Sequence, residues 1–211
     1  MQTVNKKELD LAIRTKDSQT LKTLINDHVI SRYDVNRIAS KMCSIGNLEV
    51  FKLAEKKGVD LSFDNGDFLT EAVMSQNIEL VMYLCQLGVD VNANKSAAIR
   101  FSAGNDNSAI LTYLIEQGSN IHAQDDCALY WAIKDKKKPN IEILAMAGKL
   151  KDSNGKPLDV LSWSKSEEIL CLLTALQIDI HVANELHNNK PNIEPKLDDK
   201  LFAIKELQNS L

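Results

Sequence analysis

The chain has 211 residues, 44% hydrophobic and 5% aromatic, with a formal net charge of -4. This composition supports a core of packed Leu, Ile, Val and Ala helices and leaves no basic footprint for nucleic acid. No apolar run reaches membrane-span length, so membrane insertion is not expected, and the polar start from Met1 to Lys7 does not read as a secretory signal.

In chain order, one supersecondary unit recurs. Leu9, Ala12 and Ile13 are spaced i, i+3, i+4, one face of a short inner helix. Residues 21–27 follow as a second helix, with His28 where later units carry glycine. The next unit has Ala39, Met42 and Cys43, then a helix over 48–54 stopped by Gly58. Leu69, Ala72 and Val73 precede a helix over 78–84 and Gly88. Ile99, Ser102 and Ala103 precede 109–115 and Gly118. Leu129, Ala132 and Ile133 precede 141–146 and Gly148. The glycines lie thirty residues apart, and a fixed period of that length predicts stacked units.

Each unit is read as a helix, a short turn, a longer helix and a connector. A small residue recurs in the middle of the inner stripe (Ala12, Ala72, Ser102, Ala132), where adjacent helices approach closely. The glycines are expected in left-handed helix C-caps. The segments after them, such as Val59-Asp60-Leu61 and Val89-Asp90-Val91-Asn92, read as extended connectors.

The pattern then decays. Residues 149–157 hold the turn Asn154-Gly155-Lys156-Pro157 and read as a longer, deformed finger. Residues 169–176 repeat the second helix, shifted by one residue. Residues 184–195 read as a polar loop, and Leu197, Leu201, Ile204 and Leu207 form an apolar stripe. That last helix either caps the stack or serves as a tail that partners grip. The expected architecture is an all-α helical solenoid of about six units over 1–182, with a polar loop and capping helix over 183–211.

Two runs carry a family resemblance: Asp125-Asp126-Cys127-Ala128-Leu129-Tyr130-Trp131-Ala132, and residues 77–93, which read NIELVMYLCQLGVDVNA. They resemble the ankyrin repeat family over roughly residues 6–182. Cys127-Ala128-Leu129-Tyr130 stands in place of that family's Thr-Pro-Leu-His, and the shortened connectors are expected to be loops rather than full β-hairpin fingers. Thirty-residue units of this kind resemble those of giant viruses and of bacteria living inside amoebae or animal cells. The resemblance implies a non-enzymatic scaffold, monomeric and cytoplasmic, that binds a partner protein through a concave face; an effector acting on a host protein is one form of this. The alternatives are a regulatory or inhibitory subunit of an enzyme, or an enzyme with its site in the last sixty residues, a stretch without a catalytic cluster.

On such a scaffold the residues just past the inner-helix stripe point into the groove: Met74 and Ser75, Gly104 and Asn105, Lys134 and Asp135. Connector tips add Asn65, Asp67, Lys95, Ser96, Asp125 and Asp126. Solvation alone also explains any one of these polar positions. Trp131 shares its repeat phase with Phe101 and adjoins Tyr130. Aromatics of this kind serve as interface anchors, but large aromatics are usually mostly buried, which favours packing against the adjoining repeat.

The chain offers little for chemistry, and no catalytic residue, metal or cofactor is expected. It has no glycine-rich phosphate loop. His181, Glu185 and His187 miss the spacing of a zinc helix, and Asp60, Asp64, Asp67 and Glu71 miss the calcium-loop pattern. Cys43, Cys85, Cys127 and Cys171 form no close pair and read as buried, reduced thiols. Cys127, in the first turn of an inner helix, is either an activated thiol or, preferably, a small packed residue. The run Lys134, Lys136, Lys137, Lys138 reads as a solvated turn or as a basic patch for an acidic partner or a phosphate.

Overall fold

The computed structural model describes residues 2–63, 67–148, 166 and 169–176, all within one compact unit, Met1–Leu176. The inner helices are α1 (Lys6–Thr15), α3 (Arg32–Ser44), α5 (Phe68–Met74), α7 (Ala93–Gly104) and α9 (Ala123–Lys134). The outer helices are α2 (Ser18–Asp27), α4 (Leu48–Glu55), α6 (Ile78–Gln86), α8 (Ser108–Glu116) and α10 (Lys138–Gly148); α11 spans 169–176. Each inner helix packs on its own outer helix, and α1, α3, α5 and α7 each pack on the next inner helix. This is the expected solenoid of helix pairs. Among the described residues the only strands are β1 (Gln2–Thr3) and β2 (His28–Val29), a short parallel pair. The connectors are therefore loops, not hairpin fingers.

Burial follows the sequence stripes. Leu9, Ala12 and Ile13, and their equivalents through Leu129, Ala132 and Ile133, are all buried. The middle position is not restricted to small residues, because Met42 fills it in α3 and is fully buried. Phe51 sits edge-on to Phe68 and Tyr83, each 6.2 Å away between centroids, and ties α4 to the third unit.

Three expectations need correction. The outer helix is the longer one only in the third unit: α5 has 7 residues against 9 in α6, whereas α3 has 13 against 8 in α4. In α7 the extra length comes from the connector winding into the helix, with Asn94, Lys95 and Ser96 left-handed at φ 50, 57 and 57°. The connectors are turned rather than extended. The side-chain oxygens of Asp60, Asp90 and Asn120 accept the backbone N–H two residues on, from Ser62 (3.1 Å), Asn92 (2.9 Å) and His122 (3.0 Å). Short polar side chains compete with extended backbone in this way. Finally, Gly58, Gly88 and Gly118 are left-handed as expected, but Gly148 is not. It closes α10, and a Cβ there would lie 2.9 Å from Ile121 Cδ1, so it serves close packing.

The thirty-residue period also governs features the glycines do not mark. Lys16, Gly46, Gln76 and Lys136 are left-handed at the turn between inner and outer helices. Asp17, Asn47 and Asn77 cap the outer helices by accepting from the N–H groups of Thr20, Val50 and Leu80 at 3.0–3.1 Å. Asn77 also donates to Gly46 O at 2.8 Å, stitching one unit to the one before. In the fifth unit Asn140 does this work. It is buried where Val50, Leu80 and Ile110 lie in earlier units, and it donates to Ala103 O (2.9 Å) and Asn105 O (2.8 Å).

The four thiols are free, but not uniformly buried: Cys43 is buried, Cys85 and Cys127 are half-buried and Cys171 is exposed. An outward position on α11 accounts for the last. Asn65, the finger over 149–157, the loop over 184–195, the stripe over 197–207 and the His181, Glu185 and His187 group lie outside the described residues.

Candidate binding face

The adjacent inner helices α7 and α9 carry exposed aromatic side chains, Phe101, Tyr130 and Trp131. Because the period is thirty, Phe101 and Trp131 occupy equivalent positions on these adjacent helices. Neither is packed away, as the sequence favoured: Phe101 is 46% exposed and Trp131 38%. The stripe one residue further round each helix already fills the space between repeats with Ser102, Ala103, Ala132 and Ile133. The aromatics are left outside it. Tyr130 meets Trp131 edge-on at 5.7 Å, and Lys134 Nζ lies 4.5 Å from the Trp131 ring centroid.

Between the two helices is a groove of about 320 Å³, lined by Arg100, Phe101, Gly104, Asn105, Trp131 and Asp135. Gly104 lies close to Asp135: a Cβ at that position would sit 3.0 Å from Asp135 Oδ2. Arg100 has a buried Nε without a hydrogen-bond partner. Among the described residues its guanidinium has one hydrogen bond, from a terminal nitrogen to the Asn94 carbonyl at a long 3.4 Å. Sequence reading missed Arg100; the available signal was a long cation beside Phe101 in the phase that holds Tyr130 one unit later.

The other expected residues divide. Met74, Lys95, Lys134 and Asp135 are exposed on the described surface. Ser75 and Asn105 are half-buried and spend their polar groups on the fold: Ser75 Oγ donates to Ala72 O at 2.7 Å, and Asn105 Nδ2 to Val73 O at 3.3 Å. Asp67 is half-buried and accepts from Asn94 Nδ2 at 3.3 Å. Ser96 and Asp126 are not connector tips, because both are buried. Their left-handed backbone folds the side chains back onto residues four earlier, Ser96 to Asn92 at 3.0 Å and Asp126 to the His122 ring. The Asp125 side chain lies outside the described residues.

Burial raises the Cys43 thiol well above its ordinary value and pushes Cys85 up to about 11, the opposite of nucleophile activation. Among the described residues no His, Cys, Asp and Glu side chains group to hold a metal ion, and no helix is long and apolar enough to cross a membrane. Lys136, Lys137 and Lys138 line a second hollow of about 300 Å³ with Asp106 and Asn140. Lys137 is ion-paired there with Asp106.

No protein-family model matches the chain, and no curated protein sequence does. Solved structures do match. One is the ankyrin repeat domain of Bcl-3, described as a unique member of the IkappaB protein family. It aligns with a TM-score of 0.58 at 21% identity, over 79% of this chain and 81% of that one. At that identity the likeness establishes the fold, and the chain has the ankyrin-repeat fold.

Proposed function

We propose that the protein is a non-enzymatic scaffold that binds a partner protein on the inner-helix face, centred on α7 and α9. The observation that carries this reading is the exposure of Phe101, Tyr130 and Trp131 on one surface of an otherwise aromatic-poor chain. Aromatic side chains on a rigid frame contribute large contact area with little ordering cost on binding. The ankyrin-repeat fold supports the same reading, since it serves in general as an interaction module. The resemblance of the thirty-residue units takes it a step further, to a partner in a host cytosol. An enzyme as the partner, held in a regulated or inhibited state, fits the same surface.

Affinity capture with the wild type and a Met74→Arg, Lys134→Glu double variant tests the face. Both side chains are exposed, so the variant is expected to melt like the wild type and to lose its partner. Retention of every partner by a normally folded variant overturns the assignment.

A further inference from the structure

The groove between α7 and α9 has a chemistry more specific than exposed aromatics. Its walls are two rings of equivalent repeat phase, Phe101 and Trp131, with room between them for one large side chain. At its edge lies Arg100, which lines the groove and whose guanidinium meets no carboxylate among the described residues; its unpaired Nε is buried, so the terminal nitrogens are the donors left for a ligand. A guanidinium offers a fork of donors matched to a carboxylate, and charge-assisted bonds of that type are the strong ones. A cationic occupant meets two obstacles: the Trp131 ring already carries Lys134 at 4.5 Å, and Arg100 stands on the wall. Among the described residues Asp135 is the one lining acid.

We propose that this groove is an anchor pocket for a partner segment in which an Asp or Glu adjoins an aromatic or large aliphatic residue. The apolar side chain lies between Phe101 and Trp131, and the carboxylate gives the Arg100 guanidinium the charged acceptor it lacks. Lys134 adds to the positive field at the rim. This rests on the inner-helix face being the binding face, and it names the chemistry that face selects.

A random-peptide display library selected on the full chain provides the test. The expected winners carry Asp or Glu within two residues of an aromatic or aliphatic side chain. Their affinity falls about tenfold or more in Arg100→Gln and in Trp131→Ala, and it weakens with added salt. It rises a few-fold in Asp135→Asn, which removes the like charge. Loss of folding cannot mimic that last effect, and thermal unfolding of each variant serves as the control. Enrichment of basic peptides, no enrichment at all, or acidic winners indifferent to Arg100→Gln overturns the pocket. Should Met74→Arg, Lys134→Glu abolish binding while Arg100→Gln does not, the face stands and the pocket fails. Indifference to every one of these variants removes both.

Discussion

Two inner-helix arginines show how differently the early and late units present their surfaces. Arg37, on α3, is closed off by its own fold. It donates to Asp10 at 2.8 Å and to the buried Asp34 at 3.1 Å, and lies over the Tyr33 ring at 5.9 Å. The two carboxylates hold its guanidinium above even its usual high value, with the hydrogen bond to Asp10 foremost. Arg100, on α7, has the long bond to Asn94 O and a buried Nε with no acceptor among the described residues. The lesson is that one repeat frame either spends a charge internally or leaves it available, according to which residues the neighbouring units supply. In the second unit the charge is paired within the stack; in the fourth it has no carboxylate partner among the described residues.

The largest expected effect separates core from surface aromatics. Phe51→Ala should cost about 3–5 kcal/mol, because the ring is fully buried between Phe68 and Tyr83. Phe101→Ala should cost well under ~1 kcal/mol. Urea unfolding of the pair checks this, and equal losses would mean that Phe101 is a packing residue after all.

Next comes Asn140. Asn140→Leu restores the apolar residue found there in earlier units but deletes the donors to Ala103 O and Asn105 O. A loss of about 1–3 kcal/mol is expected in the same assay, since buried carbonyls are left unpaired. A neutral or stabilising outcome would show that the stitch is dispensable.

The arginines themselves come third. Arg37→Met should cost about 1–2 kcal/mol by stranding the buried Asp34 carboxylate, whose remaining partner among the described residues is the Ser31 hydroxyl. Arg100→Met should leave stability within about 0.5 kcal/mol of wild type. Comparable costs at both positions would erase the contrast.

A gain of about 0.5–1 kcal/mol is expected from Lys136→Gly, because an L-residue in the left-handed region is strained and glycine is not. No gain in thermal midpoint would show that the turn holds Lys136 without strain.

The smallest effect is electrostatic. The Asp60 carboxyl is held below its ordinary value first by the Ser62 hydroxyl and then by the Ser62 N–H. Asp17 is held low by the Thr20 N–H and then by its hydroxyl. A lowered folded-state value means that this stability is present above the unfolded value, about pH 3.9, and is lost as pH falls through the folded one. Asp17→Asn, Asp60→Asn should therefore flatten the acid limb of the melting-temperature profile. An unchanged limb would place the acid sensitivity elsewhere.

Much of this was legible from the chain alone. The thirty-residue recurrence of apolar stripes and glycines carried the helix pairs, their order and the identity of the buried residues. Local hydrogen-bond chemistry was less visible. Asp60, Asp90 and Asn120 turn the connectors through their own side chains, and Ser96 and Asp126 fold inward for the same reason, so two expected contact residues are buried. The cap series Asp17, Asn47, Asn77 was present in the sequence, but only the hydrogen bonds showed what it does.

What the sequence by itself determined is the stack: hydrophobic periodicity decides which faces are buried, and burial dominates the energetics of a repeat array. What the tertiary structure alone decided is which of the remaining residues are available. Arg37 and Arg100 are the same residue on the same kind of helix, and what separates them is the presence of Asp10 and Asp34 within hydrogen-bonding reach of one and the absence of any such pair beside the other among the described residues. Asp34 is a local partner, three residues from Arg37 on the same helix, but the pairing with Asp10 depends on a few ångströms set by a neighbour 27 residues away, and no periodicity encodes that.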